Sequence, residues 1–295
     1  MRAALEWTQQ QDDASLGLRM ATALVPFWET HGHLVEGLGW LREALARRMA
    51  SDGSLLRARA LAGAGRLAFL YDHSLLSQFA EAESLLTESL VIARELGDNY
   101  AIAAALADLG MVHRLQRDFE RSVDRLRDAL ARFRGLHNEY GIAFALLNLG
   151  STADEMHDVV QANELLTESL ERYRALGDLR LIAIAQVLLG HVCLARGQLQ
   201  ESARFIVEAT TGHARLGDRW FVTFDLMALA EVLLTQERSQ DASRLLGAAE
   251  AMREKLGSPV GEVSFKDLVA RIDTLRSEAW FQTAWMKGTH SILKT

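Results

Sequence analysis

The sequence predicts an all-α protein: a right-handed solenoid of helical hairpins with a 40-residue period and a C-terminal helical cap. Three observations predict it. Leu96-Gly97-Asp98 returns every 40 residues as Leu136-His137-Asn138, Leu176-Gly177-Asp178, Leu216-Gly217-Asp218 and, decayed, Leu256-Gly257-Ser258. Leu109-Gly110, Leu149-Gly150, Leu189-Gly190 and Leu229-Ala230 keep the same beat. A fixed period of about 20–50 residues marks an array of stacked units rather than one globular core. Finally, only two prolines, Pro26 and Pro259, interrupt 295 residues, so helix can follow helix with few breaks.

Residues 138 to 177 show how one unit is built. Asn138 is placed to cap a helix, with Glu139 in the first turn, where the helix dipole favours an anion. Ile142, Ala143, Leu146, Leu147, Leu149 and Ala153 follow at helical spacing. The pattern fades at His157-Asp158. A second helix carries Val159, Ala162, Leu165, Leu166, Ser169, Leu170 and Tyr173 and stops at Leu176-Gly177, where glycine supplies a left-handed residue past the helix end. Asp178 can cap the next helix. Each helix has one apolar stripe, which a lone hairpin cannot bury.

Small residues recur where helices must approach closely: Gly110, Gly150 and Gly190 in first helices, and Ala82, Ser122, Ala162, Ser202 and Ala242 in second helices. Glycine within a helix costs about 1 kcal/mol relative to alanine, so its return at a fixed place implies close packing. Leu55 to Val91 forms an earlier unit with a longer turn near Asp72-His73-Ser74, and Leu16 to Arg48 a less regular one. Six hairpins are expected from about 14 to 256. The repeat array is placed at 1–257 and the capping helices and tail at 258–295. Ser264 with Asp267 reads as a capping box, placing closing helices near 265–276 and 278–287.

The net charge of −7 argues against a dedicated nucleic-acid or anionic-membrane surface. The lone Cys193 rules out an internal disulfide and fits a small core residue in a reducing compartment. No basic-then-apolar leader opens the chain, and no apolar run approaches the ~18 residues of a membrane span. The expected location is the cytoplasm.

The repeat resembles the tetratricopeptide repeat. Asn148, Leu149 and Gly150, then His157-Asp158-Val159, Ala162, Leu166, Ser169 and Leu170, fall at offsets matching that family. The repeat is longer than the family's usual one, which implies longer helices. The two ends carry a further resemblance. The opening Met1-Arg2-Ala3-Ala4-Leu5-Glu6-Trp7 is followed by Phe27-Trp28-Glu29, Gly32-His33-Leu34-Val35-Glu36-Gly37 and Trp40-Leu41-Arg42-Glu43-Ala44-Leu45. The close is Leu245-Leu246-Gly247-Ala248-Ala249-Glu250-Ala251-Met252-Arg253, Leu256-Gly257-Ser258-Pro259, Ala279-Trp280-Phe281 and Ala284-Trp285-Met286-Lys287-Gly288. Both ends are similar to the repeat region of bacterial LuxR-type and SARP-type transcription regulators coupled to an NB-ARC-like (STAND) ATPase. The resemblance implies an arm that senses a partner and controls an ATPase switch in cis or in trans. The chain has no Gly-x-x-x-x-Gly-Lys-Ser/Thr run to cradle phosphates, and the stretch after Gly288 is too short for a helix-turn-helix domain. A free-standing scaffold or adaptor is the alternative. In the ATPase-coupled reading, some of Trp7, Phe27, Trp28 and Trp40 would dock on that module, leaving an exposed apolar patch at the N-terminal end.

Catalytic chemistry finds little purchase, and no cofactor or metal is expected. His31 and His33 lack the i, i+4 spacing that puts two ligands on one helix face, and His113, His157 and His191 fall in separate repeats. Gly63-Ala64-Gly65 follows no strand, so it is not a dinucleotide turn. Asp154-Glu155 has no identifiable nucleophile beside it. Trp220, Phe221 and Phe224 are expected to pack between hairpins. The tetratricopeptide resemblance puts partner contacts on the concave wall made by the first helices. Carried over by position, these are Asp108, Met111 and Arg114; Asn148, Ser151, Asp154 and Glu155; His191; and Met227 and Glu231. The mixture is neutral to acidic without the basic cluster of a carboxylate clamp. The expected partner is an apolar and basic peptide or protein surface, with no direct contact to nucleic acid or membrane.

Overall fold

In the computed structural model, residues 1–11, 13–47, 53–71, 76–256, 271 and 274–293 are described. Fourteen helices and no strand occur among them. They are α1 (Arg2–Gln9), α2 (Ala14–His31), α3 (Leu34–Ala46), α4 (Leu55–Tyr71), α5 (Leu76–Leu96), α6 (Asn99–Leu115), α7 (Phe119–Gly135), α8 (Glu139–Glu155), α9 (Val159–Leu176), α10 (Leu179–Ala195), α11 (Leu199–Arg215), α12 (Arg219–Thr235), α13 (Ser239–Leu256) and α14 (Ala279–Leu293). Within the described residues α2–α3, α4–α5, α6–α7, α10–α11 and α12–α13 pack as consecutive helix pairs. Helix α1 precedes them and was not foreseen. The second closing helix runs to Leu293 rather than stopping near 287, because its apolar pattern continues through Ile292 and Leu293. The capping box at Ser264, most of the first closing helix and the turn at Asp72-His73-Ser74 lie outside the described residues.

The corners explain the period. The residue closing each one is left-handed at Gly97, Arg117, His137, His157, Gly177, Gly197, Gly217 and Glu237, one every 20 residues. At each corner the following N–H reaches back to a carbonyl five residues earlier: Asp98 to Ala93, Asp118 to His113, Asn138 to Phe133, Asp158 to Ala153, Asp178 to Tyr173, Gln198 to Cys193, Asp218 to His213 and Arg238 to Leu233. This is the Schellman closure, which satisfies carbonyls orphaned by the helix end. The side chains of Asp98, Asp118, Asn138, Asp158, Asp178 and Asp218 then accept an N–H from the next helix, at Ala101, Arg121, Gly141, Gln161, Leu181 and Phe221. One residue thus ends one helix and its neighbour starts the next.

The chain forms two compact units, 1–152 and 153–295. In the first, α2 packs on α3 and α4, and α4 on α5 and α6, which in turn packs on α7. Trp28 is fully buried under Gly37, where a Cβ would strike its ring. The small residues sit at close approaches, as the sequence implied. A side chain at Gly65 would meet Leu86 and the Ala82 carbonyl, and one at Gly110 would meet Leu126 and the Ser122 carbonyl. Ala82 and Ser122 are themselves fully buried. Gly63-Ala64-Gly65 therefore serves packing inside α4.

In the second unit α9 packs on α10, α10 on α11 and α12, α12 on α13, and α13 on α14. Gly190 meets Ile206 and the Ser202 carbonyl, and the Ser202 hydroxyl donates to the Gly190 carbonyl at 2.7 Å. The cap is a close helix crossing. A Cβ on Gly247 would collide with the Trp285 carbonyl, and one on Gly288 with the Arg244 carbonyl. Phe281 closes this apolar layer against Leu246 and Ala249. Cys193 is buried and free; burial raises its thiol pKa, so it is a core residue rather than a reactive one.

Candidate partner-binding face

The first helices of the hairpins repeat one register, so equivalent positions lie on equivalent faces. Ala104, Phe144, Ile184 and Phe224 occupy one such position at 40-residue steps, and each is partly exposed. Met111, His191 and Glu231 occupy another and are also partly exposed. Arg114, Asp154 and Glu155 lie at the C-terminal ends of α6 and α8, again half in water. The remaining expected contacts are placed inside. Asp108, Asn148, Ser151 and Met227 are all under 9% exposed. Asn148 donates to the Phe144 carbonyl at 2.9 Å, so its amide is occupied within its own helix. Six of the ten residues therefore keep part of their surface exposed. Of the apolar positions 104, 144, 184 and 224, which the 40-residue period marks, sequence reasoning singled out only Phe224, as packing between hairpins, and it packs against the α12–α13–α14 core.

Asp108 is held by charge. Arg66 on α4 donates to its Oδ2 at 3.3 Å and to Glu29 of α2 at 2.9 Å. This Glu29–Arg66–Asp108 ladder ties three first helices of the first unit together. Burial pushes the Asp108 carboxyl up to about 6, outweighing the opposing pull of Arg66. Burial alone would lower the Arg66 pKa, but Asp108 and Glu29 reverse this and raise it. Arg66 keeps about a third of its side chain exposed (32%), so it presents a neutralised cation at this face.

The second unit differs. Asp154 has no ion pair or hydrogen bond to its side chain among the described residues, and its carboxyl is pushed up to about 6. Burial is the main cause and the neighbouring Glu155 carboxylate the second, with His157 opposing weakly. His191 is lowered by burial, and its Nε2 has no hydrogen-bond partner among the described residues. Around it Ile184, Val187, Leu188 and Leu194 are partly exposed along α10. The second unit thus has partly exposed apolar side chains along α10 and an under-neutralised acid at Asp154, groups that suit aliphatic and cationic ligand atoms respectively. No group of three or more His, Cys, Asp or Glu that could hold a metal ion occurs among the described residues. Among those residues no helix is long and apolar enough to cross a membrane.

Comparison with known proteins supports this architecture. The tetratricopeptide-repeat family model matches residues 71–135 and 102–175. The array shares its fold with a Rap protein complexed with competence and sporulation factor (TM-score 0.66, 14% identity, covering 98% of this chain and 80% of that one). It is likewise similar to NprR in complex with its cognate peptide NprX (TM-score 0.66, 16% identity, 98% and 83%). A third similar structure is a signal-transduction ATPase (STAND) protein with a tetratricopeptide-repeat sensor from Pyrococcus horikoshii (TM-score 0.63, 13% identity, 99% and 44%). In sequence, 114 residues are 32% identical to HTH-type transcriptional regulators of Mycobacterium bovis and Mycobacterium tuberculosis. That stretch is 37% of this chain, and it spans only 13% of each regulator's length.

Proposed function

We propose that this chain is the protein-interaction or sensor arm of a bacterial transcriptional regulator. It binds a peptide or protein on the face of its first helices and performs no catalysis itself. The observation that carries the reading is the half-buried, unpaired Asp154 beside Glu155, in the unit whose α10 keeps an apolar row in partial contact with water. A cationic and aliphatic ligand would neutralise the first and cover the second. The peptide complexes among the similar structures, the STAND sensor and the regulators matched in sequence support the same class of role. Coupling to an ATPase module, in cis or in trans, would require the ligand to favour one arrangement of arm and module over another.

The test is selection of Lys/Arg–Leu-rich peptides from a displayed library on the intact chain, followed by calorimetric titration of a selected sequence. The Asp154→Lys, Glu155→Lys double variant should bind that peptide at least about tenfold more weakly, the scale of one or two lost charge contacts. Equal affinity would remove this face from the site. The size of the native gene product separates regulator arm from free-standing adaptor. A product several times larger than 32.8 kDa supports the arm, and one of that mass supports the adaptor.

A further inference from the structure

His213 on α11 and Asp225 on α12 form a buried polar pair, Nδ1 to Oδ2 2.8 Å, with side chains 0% and 1% exposed. The repeat supplies its own comparison. One period earlier the equivalent residues are Tyr173 and Ala185, two periods earlier Phe133 and Ala145, and three periods earlier Ala93 and Ala105, all buried. Two of these layers fill the place with purely apolar side chains and the third with the Tyr173 ring beside Ala185, so the fold itself does not require a histidine–aspartate pair there.

The pair is also incompletely satisfied. His213 Nε2 and Asp225 Oδ1 are buried with no hydrogen-bond partner among the described residues. Buried polar atoms left unmet cost more than one good hydrogen bond returns, and an apolar pair of similar volume is commonly as stable or more so. Burial raises the Asp225 carboxyl pKa despite the opposing effect of His213, the signature of a group that would rather be solvated. The surrounding contacts lean on the same corner. His213 stacks on Phe221 at 4.8 Å, Arg180 lies over Phe221 at 5.1 Å, and Arg180 donates to Asp218 at 3.0 Å.

We propose that the α11–α12 junction is a built-in opening point of the second unit, weakened by its buried His213–Asp225 pair where no equivalent layer carries a titratable pair and two carry only apolar side chains. Segments that move are drawn from the low-stability end of a structure. Opening here uncovers the α11-facing side of α12, the helix that carries Phe224 and Glu231 of the candidate binding face. The inference does not depend on which ligand that face takes.

Native-state amide exchange on the full chain tests it. In the wild type, amides of 199–235 should exchange faster than those of the neighbouring layer, 159–195. In His213→Phe, Asp225→Ala, which copies the Phe133–Ala145 layer, exchange across 199–235 should slow by about tenfold or more, with 99–135 unchanged. Equal protection of the two wild-type layers, or faster exchange in the double variant, would overturn the proposal. The wild-type comparison decides the matter even if the variant folds poorly, and His213→Tyr, Asp225→Ala offers the second template.

Discussion

Asp154 shows what a single misplaced-looking charge does to a repeat protein. Its carboxyl is raised from 3.8 to about 6 by burial and by Glu155. Between those two values the folded chain keeps a proton that the unfolded chain has released, so stability falls as pH rises through this window and levels off above it. Asp154→Asn removes the titration. The variant and the wild type should melt together near pH 4, and the variant should melt higher by pH 7. A melting difference that stays constant with pH would refute the assignment. The same residue marks how far sequence reasoning reaches. Asp154, Glu155, His191, Met111, Arg114 and Glu231, expected on the concave wall, are partly exposed on first helices. Helical spacing could not tell that Asp108 and Asn148, only a few residues away on the same helices, turn inward. That outcome depends on Arg66, which lies 42 residues before Asp108, and on an amide that bonds within its own helix. The first partner is remote in sequence, and the second, four residues back, is a local bond that helical spacing alone does not select.

At the scale of the element, the corners carry most of the specification. The sequence exposes three of the eight openly: Gly97, Gly177 and Gly217 precede a capping aspartate, and the 40-residue beat was legible from them. The alternate corners at Arg117, His157 and Glu237 hide the 20-residue half-period, because a non-glycine residue there adopts the same left-handed backbone. Asp118 and Asp158 were their only local signal. A left-handed conformation costs a residue other than glycine about 1–2 kcal/mol, while glycine loses about 0.5–1 kcal/mol more in conformational entropy on folding. Replacing His137 (φ 51) and Glu237 (φ 60) with glycine should therefore stabilise the protein by about 0.5–1 kcal/mol each. The two effects should add, since the sites share no partner. Urea denaturation of the two single variants and the double variant measures this directly. A loss of stability in either single variant would mean that its side chain contributes more than its backbone costs.

At the scale of the whole molecule, an array in which each layer touches only its neighbours need not melt as one body. The tryptophans allow this to be read out. Trp7, Trp28 and Trp40 lie in α1, α2 and α3, and Trp220, Trp280 and Trp285 in α12 and α14, with none between 40 and 220. Fluorescence therefore reports the outer helices, dominated in the first unit by the fully buried Trp28, whereas far-UV circular dichroism reports every helix. Among the described residues α14 packs on α13, and α1 packs on α2 and is tied to α3 by the exposed Arg2–Glu36 pair. A layer stabilised from one side loses a full interface term relative to an inner layer, so its midpoint should fall at lower denaturant. The fluorescence transition is expected to precede the dichroism transition in urea. Coincident transitions would instead mean that the interface terms between layers are large enough to unfold all fourteen described helices together. In that case the local opening argued for α11 and α12 would have to occur within a unit that is otherwise strictly cooperative.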